Sequence, residues 1–270
     1  MNLVALDLDG TTLNSKGELT PAVQSAIQAA GNWPNTIVVF CSGRPLSGVK
    51  PFAEKCGMTD NQYHVLSNGA LIQAITGEKL AEAALSVADY VTIKAYCEAE
   101  DLLLMAVSEE CVYTSNQTIN PSGMTFCVLT NNSLAAQPID QWPAGIRFSK
   151  LLVCDQPEVI EKKKAALLKR FGSTYACKQG YEDFVELSKK GTSKGSALSK
   201  LAEYYNITSD NVYVVGDNEN DCSSFLQFKH SIAMGNAVEA LKELAASTCP
   251  SNDEDGLVDA LEQIRSKIGI

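Results

Sequence analysis

Nowhere in this chain of 270 residues is there an apolar run of the length, about eighteen residues, that a membrane-spanning helix needs. Basic clusters are scarce too: Lys162-Lys163-Lys164 is short and follows Glu158 and Glu161, and the formal net charge is −10 with a pI near 4.8. That balance removes the general attraction on which non-specific nucleic-acid binding and polybasic lipid patches rest, so neither nucleic acid nor membrane is expected as a partner. An anionic small molecule is not excluded, because charges within a site outweigh a distant field. There is no C-x-x-C pair, and the nine cysteines are odd in number and irregular in spacing. With Cys41, Cys97, Cys111, Cys127, Cys154 and Cys222 in or beside apolar runs, the expectation is reduced, buried thiols in a cytoplasmic protein. The start, Met1–Asp7, has no basic segment or long apolar run and meets an acid at once, so no secretory signal is expected.

What is present is ordinary globular material, 45% hydrophobic and 20% charged, enough for one large domain or two modest ones. The first part alternates strand and helix. Leu3–Leu6 is a short apolar strand stopping at Asp7, and Thr20-Pro21 opens a helix running to about Gly31. Thr36–Phe40 is a continuous, β-branched strand, Pro45–Cys56 a helix, and Tyr63–Leu66 a strand ending in Asn68-Gly69. The tail resumes this rhythm: helix Ser193–Tyr205, strand Asn211–Val215, helix Asp221–Phe228, strand Ser231–Ala233, then helices Ala237–Ala246 and Leu257–Ile268. Such alternation implies an α/β fold, a doubly wound, mostly parallel, Rossmann-like sheet covered on both faces.

Between these parts the pattern changes. Leu85–Glu100 reads as helix, Leu102–Val107 with Cys111–Thr114 as paired strands, and Thr125–Leu129 and Ser149–Cys154 as two more strands. Pro157–Phe171 reads as a long helix and Thr174–Lys178 with Asp183–Leu187 as a hairpin. This is α+β with antiparallel pairing. The expected organisation is a core of residues 1–79 and 188–270 interrupted by an inserted domain, residues 80–187. No internal repeat or low-complexity segment appears.

In a doubly wound sheet, ligands bind beyond the carboxyl ends of the strands. The polar residues there are Asp7 and Asp9, Ser42, Asn68, and Asp217 with Asn220 and Asp221, with Lys194 near the start of its helix. Phosphoryl transfer needs this mixture. A carboxylate can attack phosphorus and carry the group, carboxylates and a carbonyl suit Mg²⁺, and a lysine with the metal offsets charge on the phosphoryl oxygens. Backbone N–H groups and a hydroxyl at a helix start can hold the remaining oxygens. Asp9 can reach the leaving oxygen as general acid, a role that burial and an adjacent carboxylate would favour. A cation at Lys194 opposes the dipole of its own helix, which an anionic ligand there would explain.

These residues carry a resemblance. Asp7-Leu8-Asp9-Gly10-Thr11-Thr12-Leu13 resembles the first motif of the haloacid dehalogenase superfamily, Ser42-Gly43-Arg44-Pro45 its second, Lys194-Gly195 its third, and Gly216-Asp217-Asn218-Glu219-Asn220-Asp221 its fourth. Asn68-Gly69-Ala70 and Met234-Gly235-Asn236-Ala237 are similar to the Cof-type sugar-phosphatase branch, which inserts a class IIB cap between the second and third motifs. The resemblance spans the chain with its motifs in order. It implies Asp7 as nucleophile and Mg²⁺ ligand, Asp9 as acid/base and metal ligand through its carbonyl, and Asp217 as the third protein ligand. It further implies that Leu8 (by its backbone), Ser42, Gly43, Lys194 and Asn220 hold the phosphoryl group, with Asp221 behind the metal or orienting Lys194. Two departures occur: Ser42 replaces the commoner Thr, keeping the hydroxyl, and Cys222-Ser223-Ser224-Phe225 stands where a Met is usual.

The implied activity is Mg²⁺-dependent hydrolysis of small phosphomonoesters, sugar phosphates among them, through an aspartyl-phosphate. A phosphomutase or phosphotransferase using the same intermediate is the alternative. A phospho-accepting switch needs neither Asp9 nor an inserted domain. The partner expected is a small phosphorylated metabolite, and nothing demands more than a monomer or weak homo-oligomer. Arg44 reads either as a substrate contact or as half of a surface ion pair, and Asn68 as a substrate contact or a turn former. His64 and His230 read as structural. Specificity is expected from the inserted domain closing over the crevice, with Tyr113, Arg147 and Lys178 as its candidates.

Overall fold

The structure, a computed structural model, describes residues 1–58, 60–130 and 132–270. Two compact units form, Met1–Glu82 with Ser193–Ile270, and Ala83–Thr192. The first unit begins with β1 (Asn2–Leu6), α1 (Pro21–Gly31), β2 (Thr36–Phe40), α2 (Leu46–Lys55), β3 (Tyr63–Leu66), β4 (Leu71–Ala74) and β5 (Lys79–Glu82). The second contains α3 (Val87–Ala99), β6 (Leu103–Val107), β7 (Cys111–Thr114), α4 (Pro121–Leu129), β8 (Ser133–Ala136), β9 (Lys150–Cys154), α5 (Pro157–Phe171), β10 (Tyr175–Tyr181) and β11 (Phe184–Lys189). The chain then completes the first unit with α6 (Lys194–Tyr204), β12 (Val212–Gly216), α7 (Cys222–Gln227), β13 (His230–Ala233), α8 (Glu239–Leu244), β14 (Ser247–Thr248) and α9 (Gly256–Ile268). The unit boundaries fall a few residues beyond 80 and 187 because β5 runs on to Glu82 and β11 to Lys189.

A parallel sheet in the order β14-β13-β12-β1-β2 organises the first unit. Consecutive residues of a strand face opposite sides, yet Leu3, Val4, Ala5 and Leu6 are all buried, so the sheet is covered on both faces. Capping shapes the first helix: the Thr20 side chain accepts from Val23 N while Pro21 takes a position that needs no donor. Strand β1 has β2 on one side and β12 on the other, so the strand order reverses there, and the polar residues following these strands gather at one edge.

Strand β3 departs from the parallel pattern. It joins β2 through a single parallel bridge, Cys41 to Val65, and otherwise pairs antiparallel with β4, which pairs in turn with β5. At the join, a side chain replaces a ladder bond: Phe40 N donates to His64 Nδ1 (3.1 Å) and the two rings stack.

In the second unit the sheet order is β10-β11-β9-β6-β7-β8, antiparallel except for the β7–β8 pair. Alternation sorts its side chains. Leu104, Ala106, Leu151 and Val153 pack with Tyr90, Ile93, Ile160 and Phe171 of α3 and α5, whereas Leu103, Met105, Leu152 and Phe184 pack with Phe126 and Cys127 of α4. Residues 125–129 are therefore helix and not the strand expected from their β-branched and aromatic content. Asn120 caps the helix by accepting from Gly123 N, and Pro121 occupies its first turn, a start signal that overrides the propensity of Thr125, Phe126 and Val128. The nine cysteines form no disulfide. Among the described residues no helix is long and apolar enough to cross a membrane.

Burial drives the His64 imidazole down from 6.5 to about 4, so it is neutral in the folded protein. Between these values the unfolded chain binds a proton that the folded one refuses, so the stability tied to neutral His64 is complete above pH 6.5 and lost towards pH 4. His64→Gln keeps an acceptor for Phe40 N. Urea denaturation at pH 7 and 4.5 should show wild type losing about 2–3 kcal/mol more than this variant on acidification; equal losses would contradict the assignment.

Candidate active site

Lys194 is the first residue of α6, where Ser193 caps the helix and the capping box is closed by Ser196. Its side chain has no solvent exposure. The ammonium lies 2.5 Å from Asp7 Oδ1 and 2.7 Å from Asp221 Oδ1. Two carboxylates thus offset both the loss of water and the positive end of the helix. Asp7 follows β1 and Asp221 lies in the turn after β12. The second oxygen of Asp221 accepts from the backbone N–H groups of Asp217 and Asn218.

Asp217 completes the cluster. Ligand oxygens of Asp7, Asp217 and Asp221 all lie within 4.8 Å of one another. Thr11 Oγ1 donates to Asp217 Oδ1 (3.1 Å), and Thr12 Oγ1 donates to the Asp7 carbonyl (2.6 Å). Gly10 is required beside them: its φ is +76°, and a Cβ there would sit 2.2 Å from Asp217 Oδ2. Asn236 Nδ2 donates to the Gly10 carbonyl, fixing the same loop from the other end of the chain. No role was foreseen for Thr11, Thr12 or Asn236, although all three stand inside the quoted motifs.

Asp9 lacks the burial expected to favour its proton uptake. Its side chain is 57% exposed, and Arg44 grips it with two bonds, Nη2 to Oδ1 (2.6 Å) and Nε to Oδ2 (2.9 Å). Asp9 follows the end of β1 at Leu6 and precedes the positive-φ turn at Gly10. Arg44, read as substrate contact or ion pair, is an ion pair here, and its guanidinium also lies over the Phe52 ring.

Within the first unit, Ser42, Gly43, Asn68 and Leu8 lie beside this cluster. Ser42 is buried, and its hydroxyl accepts from Arg44 N. Asn68 N donates to the Ser42 carbonyl, and Asn68 Oδ1 accepts from Asn220 Nδ2 (3.0 Å). A Cβ on Gly43 would lie 3.1 Å from Asn68 Oδ1. Leu8 is buried, and its carbonyl accepts from Thr12 N and Leu13 N. In the second unit, Tyr113 packs on Trp142 and Phe148, and Arg147 donates to the Ala84 carbonyl. Lys178 stands opposite Glu186 in the β10–β11 ladder.

A family profile described as haloacid dehalogenase-like hydrolase matches residues 4–261. The chain belongs to this family of hydrolases. It is similar, at 29% identity over 98% of this chain and 99% of the relative, to the 5-amino-6-(5-phospho-D-ribitylamino)uracil phosphatase YwtE of Bacillus subtilis. To the pyridoxal phosphate phosphatase YbhA of Escherichia coli it is 27% identical over 94% and 95%. Among solved structures, TM0651 from Thermotoga maritima superposes with a TM-score of 0.85 at 25% identity, covering 97% of each chain.

In this haloacid dehalogenase-like hydrolase one ammonium faces three carboxylates, and two of them, Asp7 and Asp217, hold a proton more tightly than an ordinary carboxylate. Burial is the main cause of the rise at Asp7, with Asp221 and Asp217 adding to it and Lys194 opposing. Burial and then Asp221 push Asp217 up to about 6. For Lys194, burial acts downward, but Asp221 and Asp7 prevail and hold the ammonium well above its ordinary value. The excess negative charge and hard oxygen donors fit a divalent cation, and Asp221, engaged at both oxygens, leaves Asp7 and Asp217 as the freer ligands.

Cation binding must displace protons held by these carboxylates. Titration calorimetry with Mg²⁺ should show affinity falling by at least about tenfold per unit once pH drops below about 6, where Asp217 takes up its proton. An affinity unchanged from pH 7.5 to 5 would contradict this electrostatic account.

Proposed function

We propose that this hydrolase is a Mg²⁺-dependent phosphatase of small phosphorylated metabolites, sugar phosphates included, working through a phosphoryl group carried on Asp7. The single observation that carries the reading is the buried Lys194 ammonium bonded to Asp7, with Asp217 beside it at the edge where the paired strands β1 and β12 end. A lysine in that position holds one Asp7 oxygen, so attack on phosphorus falls to the other. Relatives that act on phosphorylated small molecules along their full length support the substrate class.

Asp7 and Asp217, with the Asp9 carbonyl, would hold Mg²⁺, which when bound neutralises charge on the phosphoryl oxygens. The Leu8 backbone, Ser42, Gly43, Asn220 and the third N–H of Lys194 hold the transferred group. In the first step an Asp7 oxygen forms a bond to phosphorus, the ester P–O bond breaks, and the leaving oxygen takes a proton from Asp9. Water then attacks phosphorus, Asp9 accepts its proton, and Asp7 and inorganic phosphate separate. The exposure of Asp9 suits a group that must meet leaving groups of varied size, and its proton transfers require the Arg44 grip on its two oxygens to open.

Asp7→Asn retains the size and burial of the residue but not the nucleophile. Turnover of p-nitrophenyl phosphate with Mg²⁺ should fall roughly 10³-fold or more, with the circular dichroism spectrum unchanged. Retained Mg²⁺-dependent turnover would sink the reading. With sugar phosphates the expected product is free phosphate; an isomeric phosphate ester would mark a mutase instead.

A further inference from the structure

The turn between β3 and β4 contributes no residue to the carboxylate cluster, yet it touches the segments around it. Ser67, Asn68 and Gly69 all have positive φ, at 50°, 55° and 92°. Two non-glycine residues in succession there is a strained arrangement that the surroundings must hold. They hold it on three sides. Ser67 N donates to the Arg44 carbonyl and Asn68 N to the Ser42 carbonyl, each at 3.0 Å, so the turn is locked to the loop after β2. Gly69 lies so close to the cap of α6 that a Cβ would fall 2.2 Å from the Ser193 carbonyl oxygen. The Asn68 amide is left to face Asn220, whose Nδ2 donates to its Oδ1 at 3.0 Å.

Asn220 has unused capacity. Its Oδ1 is buried with no hydrogen-bond partner among the described residues, and a primary amide carries a second N–H beyond the one given to Asn68. Such a side chain turns freely about its last torsion unless a fixed neighbour sets it. Asn68 is that neighbour, and its own position is fixed by backbone bonds, not by a flexible stem.

We propose that Asn68 is a positioning residue: it binds the Asn220 amide and sets which of its atoms meets the phosphoryl group, so it acts on the reaction through Asn220 without touching substrate. This rests on the reading above that Asn220 holds the transferred group. It replaces the expectation that Asn68 is itself a substrate contact, and it explains why Gly43 lacks a side chain where the Asn68 amide must fit.

The test is a double-mutant cycle with p-nitrophenyl phosphate. Asn68→Gly tolerates the left-handed backbone and removes only the amide, so the variant should fold with a melting temperature close to wild type. Its kcat should fall about three- to tenfold with KM changed less than twofold, the scale of one lost hydrogen bond. In an Asn220→Ala background the same substitution should produce no further loss, a silence that a merely structural role would not show. An unchanged kcat for Asn68→Gly would overturn the proposal, as would equal losses in the two backgrounds. Either result leaves the phosphatase reading standing, because that is decided by Asp7→Asn.

Discussion

An ammonium without access to water is tolerable only among carboxylates, and Lys194 meets that condition with one bond to Asp7 and one to Asp221. The elements around it serve this arrangement. Parallel strands β1 and β12 bring Asp7 and the turn holding Asp221 to the same edge, and α6 delivers the lysine from its first turn. Removing the lysine from such a buried cluster costs about 3–5 kcal/mol, because the carboxylates are left without compensation, whereas neutralising Asp7 leaves Lys194 paired with Asp221. The cluster is consequently part of what holds the first unit together as well as the proposed seat of its chemistry.

The same arithmetic of charge leads to function. Three carboxylates against one ammonium leave negative charge that a divalent cation can neutralise, and the cation in turn makes room for an anionic substrate in a chain with a net charge of −10. The general acidity of the surface and an affinity for phosphate are thereby compatible. Asp9 stands apart from this balance. Its side chain is exposed and gripped by Arg44, outside the buried cluster.

Much of this was legible in the amino-acid sequence because the fold is regular where the chemistry is. Strands of continuous apolar residues end in Asp7, Ser42 and Asp217, and a parallel sheet must place such ends on one edge. What could not be read depends on contacts between segments far apart in the chain. The bonds Thr11 to Asp217 and Asn236 to Gly10 join opposite ends of the sequence, and the Arg44 grip on Asp9 joins the segments after β1 and β2. Within the second unit, residues 125–129 carry strand formers, and only Asn120-Pro121 just upstream reveals the helix. The sequence hides the β4–β5 hairpin because Asn68-Gly69 reads as an end, whereas the strand returns directly at Leu71.

The central claim is that Asp7 itself receives the phosphoryl group. Rapid-quench mass spectrometry during a single turnover, with acid quenching and digestion, measures this most directly. The account predicts one phosphoryl group on the peptide containing Asp7 within the first turnover, gone once substrate is exhausted, and none at any time in Asp7→Asn. Turnover that proceeds at the full rate with no phosphorylated peptide at any quench time, or with the group on a different residue, would contradict it.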